Sequence, residues 1–213
     1  IDRLSVTAKK FGLGKKVLNL FDEEKSGTVP NTKWKLKNIG QPWYLGETLI
    51  SGIGQGYFLS TPLQLCRMTA QLANGGYEIK PRIIDNKYEL QEVINAWREE
   101  FNIINNNLNT TNPKLKKLYR NKENIKFVLD AMYGATNEPM GTSYGSRFTK
   151  KEYIFAGKTG TSQVRNITAE ERKLEIKNID LPYEKRDHAL FTAFAPYYNP
   201  RYAISVVIEH GGS

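Results

Sequence analysis

Apolar residues recur at helical spacing in three stretches of the chain and at strand spacing in three later ones. Leu4, Ala8 and Phe11 fall at i, i+4 and i+7, a short helical face that Gly12 and Gly14 end. Leu13, Val17, Leu18, Leu20 and Phe21 extend the apolar material and are expected to be buried. A second helix starts sharply, with Thr61 as N-cap, Pro62 at the first helical position and Gln64 in the capping-box position. Leu65, Met68 and Leu72 are its apolar face, and Gly75-Gly76 stops it. A third helix follows Asn121, with Ile125, Val128, Leu129 and Met132 on one side and an expected end at Gly134. Strand patterning dominates later: Tyr153 to Val164, then His188 to Tyr197 and Tyr202 to Glu209, the last two joined by the turn signal Tyr198-Asn199-Pro200-Arg201. Connections this short cannot carry parallel crossovers, so the pattern predicts an α+β fold, an antiparallel sheet packed with helices.

The intervening segments are punctuated differently. Ser26 to Pro42 carries Gly27, Pro30, Asn31, Gly40 and Pro42, with Trp34 inside it and Trp43 beside it, and reads as an ordered loop pinned by aromatic residues. Thr48 to Leu59, with Gly52, Gly54 and Gly56, reads as a close-approach turn leading into the Thr61 helix; it lacks both the Gly-Lys-Ser/Thr ending and the full dinucleotide fingerprint. Tyr77 to Ile84 reads as extended chain broken at Pro81, and Ala135 to Thr149 as turn-rich. An Asn-rich region near residues 85–120 is poor core material and is expected to be a surface insertion. Arg165 to Asp187 is a charged excursion.

Length and composition narrow the picture. The 213 residues suit a single domain, spanning 1–213, and 11% aromatic content with 39% apolar residues describes a globular core. The net charge of +9 permits nucleic acid, anionic lipid or an acidic polymer as a partner and selects none. The basic residues are dispersed; the nearest cluster, Lys114, Lys116, Lys117, Arg120 and Lys122, reads as solvated surface, and no nucleic-acid motif accompanies it. Cys66 sits among Leu63, Leu65 and Met68 as a core thiol, and one Cys with two His builds no zinc site, so neither metal nor cofactor is expected. The chain has no initiator Met, signal peptide or long apolar run, which reads as a fragment of a longer protein.

Candidate chemistry concentrates in Lys158-Thr159-Gly160-Thr161, where an amine and two hydroxyls would line a strand edge and Gly157 and Gly160 would leave room for a ligand backbone. A nucleophile is harder to find. No serine starts a Ser-x-x-Lys, Ser-x-Asn or Gly-x-Ser-x-Gly pattern, and Asp187 beside His188 points to opposite strand faces, which favours a structural histidine.

Lys-Thr-Gly on a strand is one of the signatures of penicillin-binding proteins and serine β-lactamases. Three longer blocks, GQPWYLGETLISGIGQGYFLSTPLQL from Gly40, FAGKTGTSQV from Phe155 and DHALFTAFAPYYNPRYAISVVIEHGGS from Asp187, resemble the elongation-type, penicillin-binding protein 2 branch of the class B penicillin-binding proteins. The resemblance implies the C-terminal part of a β-lactamase-like transpeptidase domain, incomplete in this chain, from a serine peptidoglycan D,D-transpeptidase that is acylated by β-lactams. By resemblance, Lys158 and Thr161 are catalytic. Lys158 supplies positive potential and holds the Ser-x-Asn hydroxyl network, and the Thr161 N–H is half of the oxyanion hole. Thr159, Gly160 and Thr161 bind substrate, the two hydroxyls taking its terminal carboxylate. Both Ser-x-x-Lys and Ser-x-Asn lie upstream in the family, so the isolated chain is expected to be inactive.

The resemblance further implies a parent anchored in the inner membrane with this part on the periplasmic face. Its expected partners are peptidoglycan stem peptides, β-lactams and the membrane glycosyltransferase of the elongation machinery. A D,D-carboxypeptidase or β-lactamase would use the same strand, and the alternative of another class is a catalytically silent module that binds wall polymer or a partner.

Overall fold

The computed structural model describes residues 1–83, 116–165 and 178–212. Most of the Asn-rich region, the end of the extended stretch at Ile84 and the middle of the charged excursion lie outside the described residues. Among the described residues, five α-helices, α1 (Asp2–Lys10), α2 (Thr32–Ile39), α3 (Leu45–Gly52), α4 (Pro62–Ala73) and α5 (Lys122–Asn137), accompany three strands, β1 (Ala156–Ser162), β2 (His188–Ala195) and β3 (Tyr202–Ile208). The strands form one antiparallel sheet in the order β1-β2-β3, as the short connections require.

Capping chemistry fixes α4 where the sequence places it. Thr61 Oγ1 accepts the Gln64 N–H at 3.2 Å and Gln64 Oε1 accepts the Thr61 N–H at 3.0 Å, a closed capping box. Gln64 is fully buried because its amide donates onward to the carbonyls of Lys15 at 2.7 Å and Ser26 at 2.8 Å. One side chain thus starts a helix and ties two distant loops to it. The Ser26–Pro42 stretch, expected to be a loop, contains α2, with Asn31 as N-cap accepting from the Trp34 N–H and Gly40 as left-handed C-cap. Those two residues look like loop punctuation and are in fact helix ends.

Three further boundaries differ from the expected ones. Thr48 to Gly52 forms the last five residues of α3, and Gly54 and Gly56 serve positive φ (79° and 83°), since an added Cβ at Gly54 would meet nothing within 4 Å. Helix α5 passes through Gly134 to Asn137, because Thr136 and Asn137 find partners beyond it. Strand β1 begins at Ala156, while Lys151–Tyr153 forms a 3-10 turn. Leu20 and Phe21 are exposed; Glu24 collects the N–H groups of Val17, Leu18 and Asn19, and this tight turn directs the next residues outward.

The core lies between the sheet and two helices. Ala156 and Phe194 pack against Ala73 of α4 and Met132 of α5. Beneath them the hydroxyls of Thr69 and Thr192 bond to each other, and Cys66 donates to the Ala203 carbonyl at 3.4 Å. Cys66 is half-buried, short of the full core position expected, and that burial pushes its thiol above the ordinary pKa. A second cluster joins Phe11, the C-cap of α1, to Leu118 and to Ile125 of α5. Lys116 stays on the surface, 71% exposed and paired with Glu78 at 3.2 Å.

Candidate active site

The Lys158 to Thr161 sequence lies in the middle of β1, which pairs along one side with β2, from Ala156 opposite Phe194 to Ser162 opposite His188. No other described strand pairs with its second side. Strand periodicity sends Lys158 and Gly160 to one face and Thr159 and Thr161 to the other. From Lys158 to Ser162 the strand is exposed apart from half-buried Thr159, whereas Ala156 and Gly157 are buried. The structure therefore brings all four sequence-identified residues to one accessible edge.

The two glycines of this edge do different work. A Cβ on Gly157 would come within 2.7 Å of Phe191 Cζ and 2.8 Å of Ala193 Cβ, so its bareness serves the sheet itself and not a ligand, which corrects the sequence reading. At Gly160 the nearest atom to an added Cβ is Leu190 Cβ at 3.5 Å, an ordinary contact. Nothing in the sheet requires Gly160 to be bare.

Hydrogen bonds organise the polar groups. The Lys158 ammonium curls over the strand to donate to the Thr159 carbonyl at 2.9 Å and to Thr159 Oγ1 at 3.2 Å. The Thr142 hydroxyl lies 3.1 Å from Thr159 Oγ1. Sequence reasoning missed Thr142, which sits in a Gly-Thr-Ser turn with no chemical signature of its own. Its position is set by α5: a Cβ on Gly141 would fall 2.5 Å from the carbonyl oxygens of both Gly134 and Ala135, and the Ser143 N–H donates to the Ala135 carbonyl at 3.0 Å. The same helix end grips the entrance to β1, where Phe155 O accepts from Thr136 Oγ1 at 3.0 Å and Asn137 Nδ2 at 2.9 Å.

The far end of β1 is closed by structural groups. Asp187 is 8% exposed and accepts from the Val164 N–H at 3.2 Å and from Asn178 Nδ2 at 2.7 Å, holding the two ends of the charged excursion together. His188 Nδ1 accepts the His210 N–H at 3.0 Å. That bond puts the proton of the neutral ring on Nε2, so His188 has no free lone pair with which to act as a base toward its cross-strand neighbour Ser162. The histidine is structural, in line with the sequence. An ammonium with threonine hydroxyls on an open strand edge binds a carboxylate well and activates no nucleophile of its own.

Comparison with known proteins agrees in extent as well as in kind. The family model described as "Penicillin binding protein transpeptidase domain" matches residues 1–213. The chain is 35% identical over 213 residues to the peptidoglycan D,D-transpeptidase MrdA of Escherichia coli (strain K12), covering 100% of the chain and 31% of that relative. Its fold matches Pseudomonas aeruginosa PBP2 in complex with WCK 5153 at a TM-score of 0.72 and 34% identity, over 100% of this chain and 40% of that one. It matches PBP2 in the complex with MreC from Helicobacter pylori at a TM-score of 0.73 and 32% identity, over 99% of this chain and 32% of that one. The chain spans about a third of the length of the curated relatives it matches.

Proposed function

The chain belongs to the penicillin-binding protein transpeptidase domain family, and from that premise we propose that it forms the substrate-carboxylate wall of a penicillin-binding protein 2-type peptidoglycan D,D-transpeptidase. The observation that carries this reading is the open β1 edge, on which the Lys158 ammonium and the Thr159 hydroxyl are already bonded to each other. A stem peptide ending in D-Ala-D-Ala lies along this edge as an added strand, and Gly160 leaves its approach clear. The hydroxyls of Thr159 and Thr161 take the terminal carboxylate, and Lys158 raises the local positive potential. The Thr161 N–H is one of two donors to the oxyanion that develops when a serine attacks the penultimate D-alanine carbonyl. Such a donor is commonly worth about 2.7–4 kcal/mol of barrier.

The sequence contains no Ser-x-x-Lys, so in this proposal the nucleophile comes from residues outside 1–213. Its Oγ adds to the carbonyl, the C–N bond to the last D-alanine breaks, and that residue leaves carrying a proton. The acyl ester then passes to the amine of a neighbouring peptide and the serine is regenerated. β-Lactams enter the same way and leave the serine acylated. We place the complete protein in the inner membrane with this domain on the periplasmic face; among the described residues no helix is long and apolar enough to cross a membrane. Stem peptides and the elongation glycosyltransferase are its proposed partners, and the Helicobacter pylori PBP2 complex with MreC supports a further protein partner.

The test is release of D-alanine from a D-Ala-D-Ala pentapeptide by the complete gene product. Wild type is expected to turn over, and Lys158→Ala to slow it by about 10²-fold or more with the fold intact. No turnover by wild type, with wall polymer still bound, would support the silent binding module instead.

A further inference from the structure

Thr142 lies 17 residues before Thr159 and on another element, yet the two hydroxyl oxygens are 3.1 Å apart. We propose that Thr142 is a positioning residue for the carboxylate site, one that sets the orientation of the Thr159 hydroxyl. The inference rests on the carboxylate-binding reading of β1 given above and adds a group to that site.

The argument follows the protons. Lys158 carries only donors, so its contact with Thr159 Oγ1 at 3.2 Å occupies a lone pair of that oxygen. The Thr159 hydroxyl keeps one proton to give, and Thr142 Oγ1 is within reach to receive it. Without substrate the bonds run from the ammonium to Thr159 and on to Thr142, which stops the Thr159 hydroxyl from rotating. A carboxylate has no proton to offer, so when it arrives Thr159 must turn its proton toward the anion. Thr142, a donor as well as an acceptor, can then reverse and donate to Thr159. Both neighbours now push hydrogen-bond density toward the oxygen that faces the anion, and such chains strengthen one another. A valine at 142 keeps the shape and removes both halves of this exchange.

The placement of Thr142 is built, not incidental. The turn that carries it is fixed on α5 through the Gly141 contact with two helix carbonyls and the Ser143 N–H bond to Ala135 O. The same helix end holds the Phe155 carbonyl through Thr136 and Asn137. Thr142 and the start of β1 are thus referenced to one rigid block, and the spacing between the two hydroxyls does not depend on the charged excursion at the other end of the strand. Thr142 itself is exposed, so its replacement leaves the core untouched.

The experiment measures second-order acylation of the complete gene product by benzylpenicillin and by its methyl ester, which lacks the anion, using intact mass. Thr142→Val is expected to slow benzylpenicillin by about 10-fold, leave the ester rate nearly unchanged, and keep the thermal midpoint of wild type. Thr142→Ser restores the rate. In a Thr159→Val background, Thr142→Val adds nothing, because the group it acts through is gone. Wild-type rates for Thr142→Val, an equal loss on both compounds, or full additivity with Thr159→Val would each overturn the inference. Failure of wild type to be acylated at all would overturn the functional reading itself, and this inference with it.

Discussion

Gly157 and Gly160 stand on one strand, and only the first is required by the fold. Gly157→Ala drives a methyl group into Phe191, Ala193 and the Thr192 carbonyl, and is expected to cost about 1–3 kcal/mol in denaturant unfolding. Gly160→Ala meets Leu190 at an ordinary distance and is expected to unfold within about 0.5 kcal/mol of wild type. Equal losses at both positions would contradict the assignment of Gly160's bareness to the substrate edge. At this scale the sequence was informative about type and silent about partnership. The Lys-Thr-Gly-Thr string displays its own chemistry, so Lys158, Thr159 and Thr161 were visible as candidates. Thr142 was not, because its role is created by a fold that returns α5 to the strand. The role of Gly157 was likewise hidden in a cross-strand neighbour, Phe191, that no local pattern reveals.

Helices α2 and α3 show the same limit for elements. Asn31 and Gly40 were legible as residues that interrupt regular structure, and whether they interrupt or cap depends on what TKWKLKNI packs against. The partner is α3. Lys35 is fully buried, with its ammonium paired to Glu47 and 4.2 Å from the centre of the Tyr44 ring. Glu47 also accepts from the Tyr44 N–H at 2.8 Å and the Tyr57 hydroxyl at 3.2 Å. Trp34 and Trp43 both pack on Tyr57, at 5.4 and 6.2 Å between ring centres, so the expectation of aromatic pinning holds although the loop does not. The Lys35 bond, with the Tyr44 N–H next, holds the Glu47 carboxyl below its ordinary pKa of 4.5. A depressed carboxylate stabilises the fold fully above that ordinary value and loses the contribution as pH falls through the lower folded value. Urea midpoints followed from neutral to about pH 3 should therefore fall less steeply in Glu47→Gln than in wild type. The variant should also be weaker than Lys35→Met at neutral pH, since it leaves a buried cation without its anion. An unchanged acid slope would show that the pair does not link the two helices.

For the whole molecule, the order and direction of the strands were readable because β2 and β3 are apolar runs joined by a short link that carries the turn signal Tyr198-Asn199-Pro200-Arg201, and an antiparallel return is the only connection so short a link allows. The helical layer beneath was readable from α4 and α5, whose apolar faces do meet the sheet at Ala156 and Phe194. What no single stretch contains is the proposed site as a whole: in that proposal β1 is one wall, the end of α5 supports it, and the nucleophile comes from residues outside 1–213. The net charge of +9 suits a polymer bearing carboxylates without identifying one. The most direct test of this division is to label the complete gene product with a fluorescent penicillin, map the adduct by mass spectrometry, and compare wild type with Lys158→Ala. The account predicts rapid labelling of wild type on a serine outside residues 1–213, slowed by about 10²-fold or more in Lys158→Ala, and no labelling of residues 1–213 alone. A stable adduct on a serine within this chain, or wild-type labelling of Lys158→Ala, would contradict it.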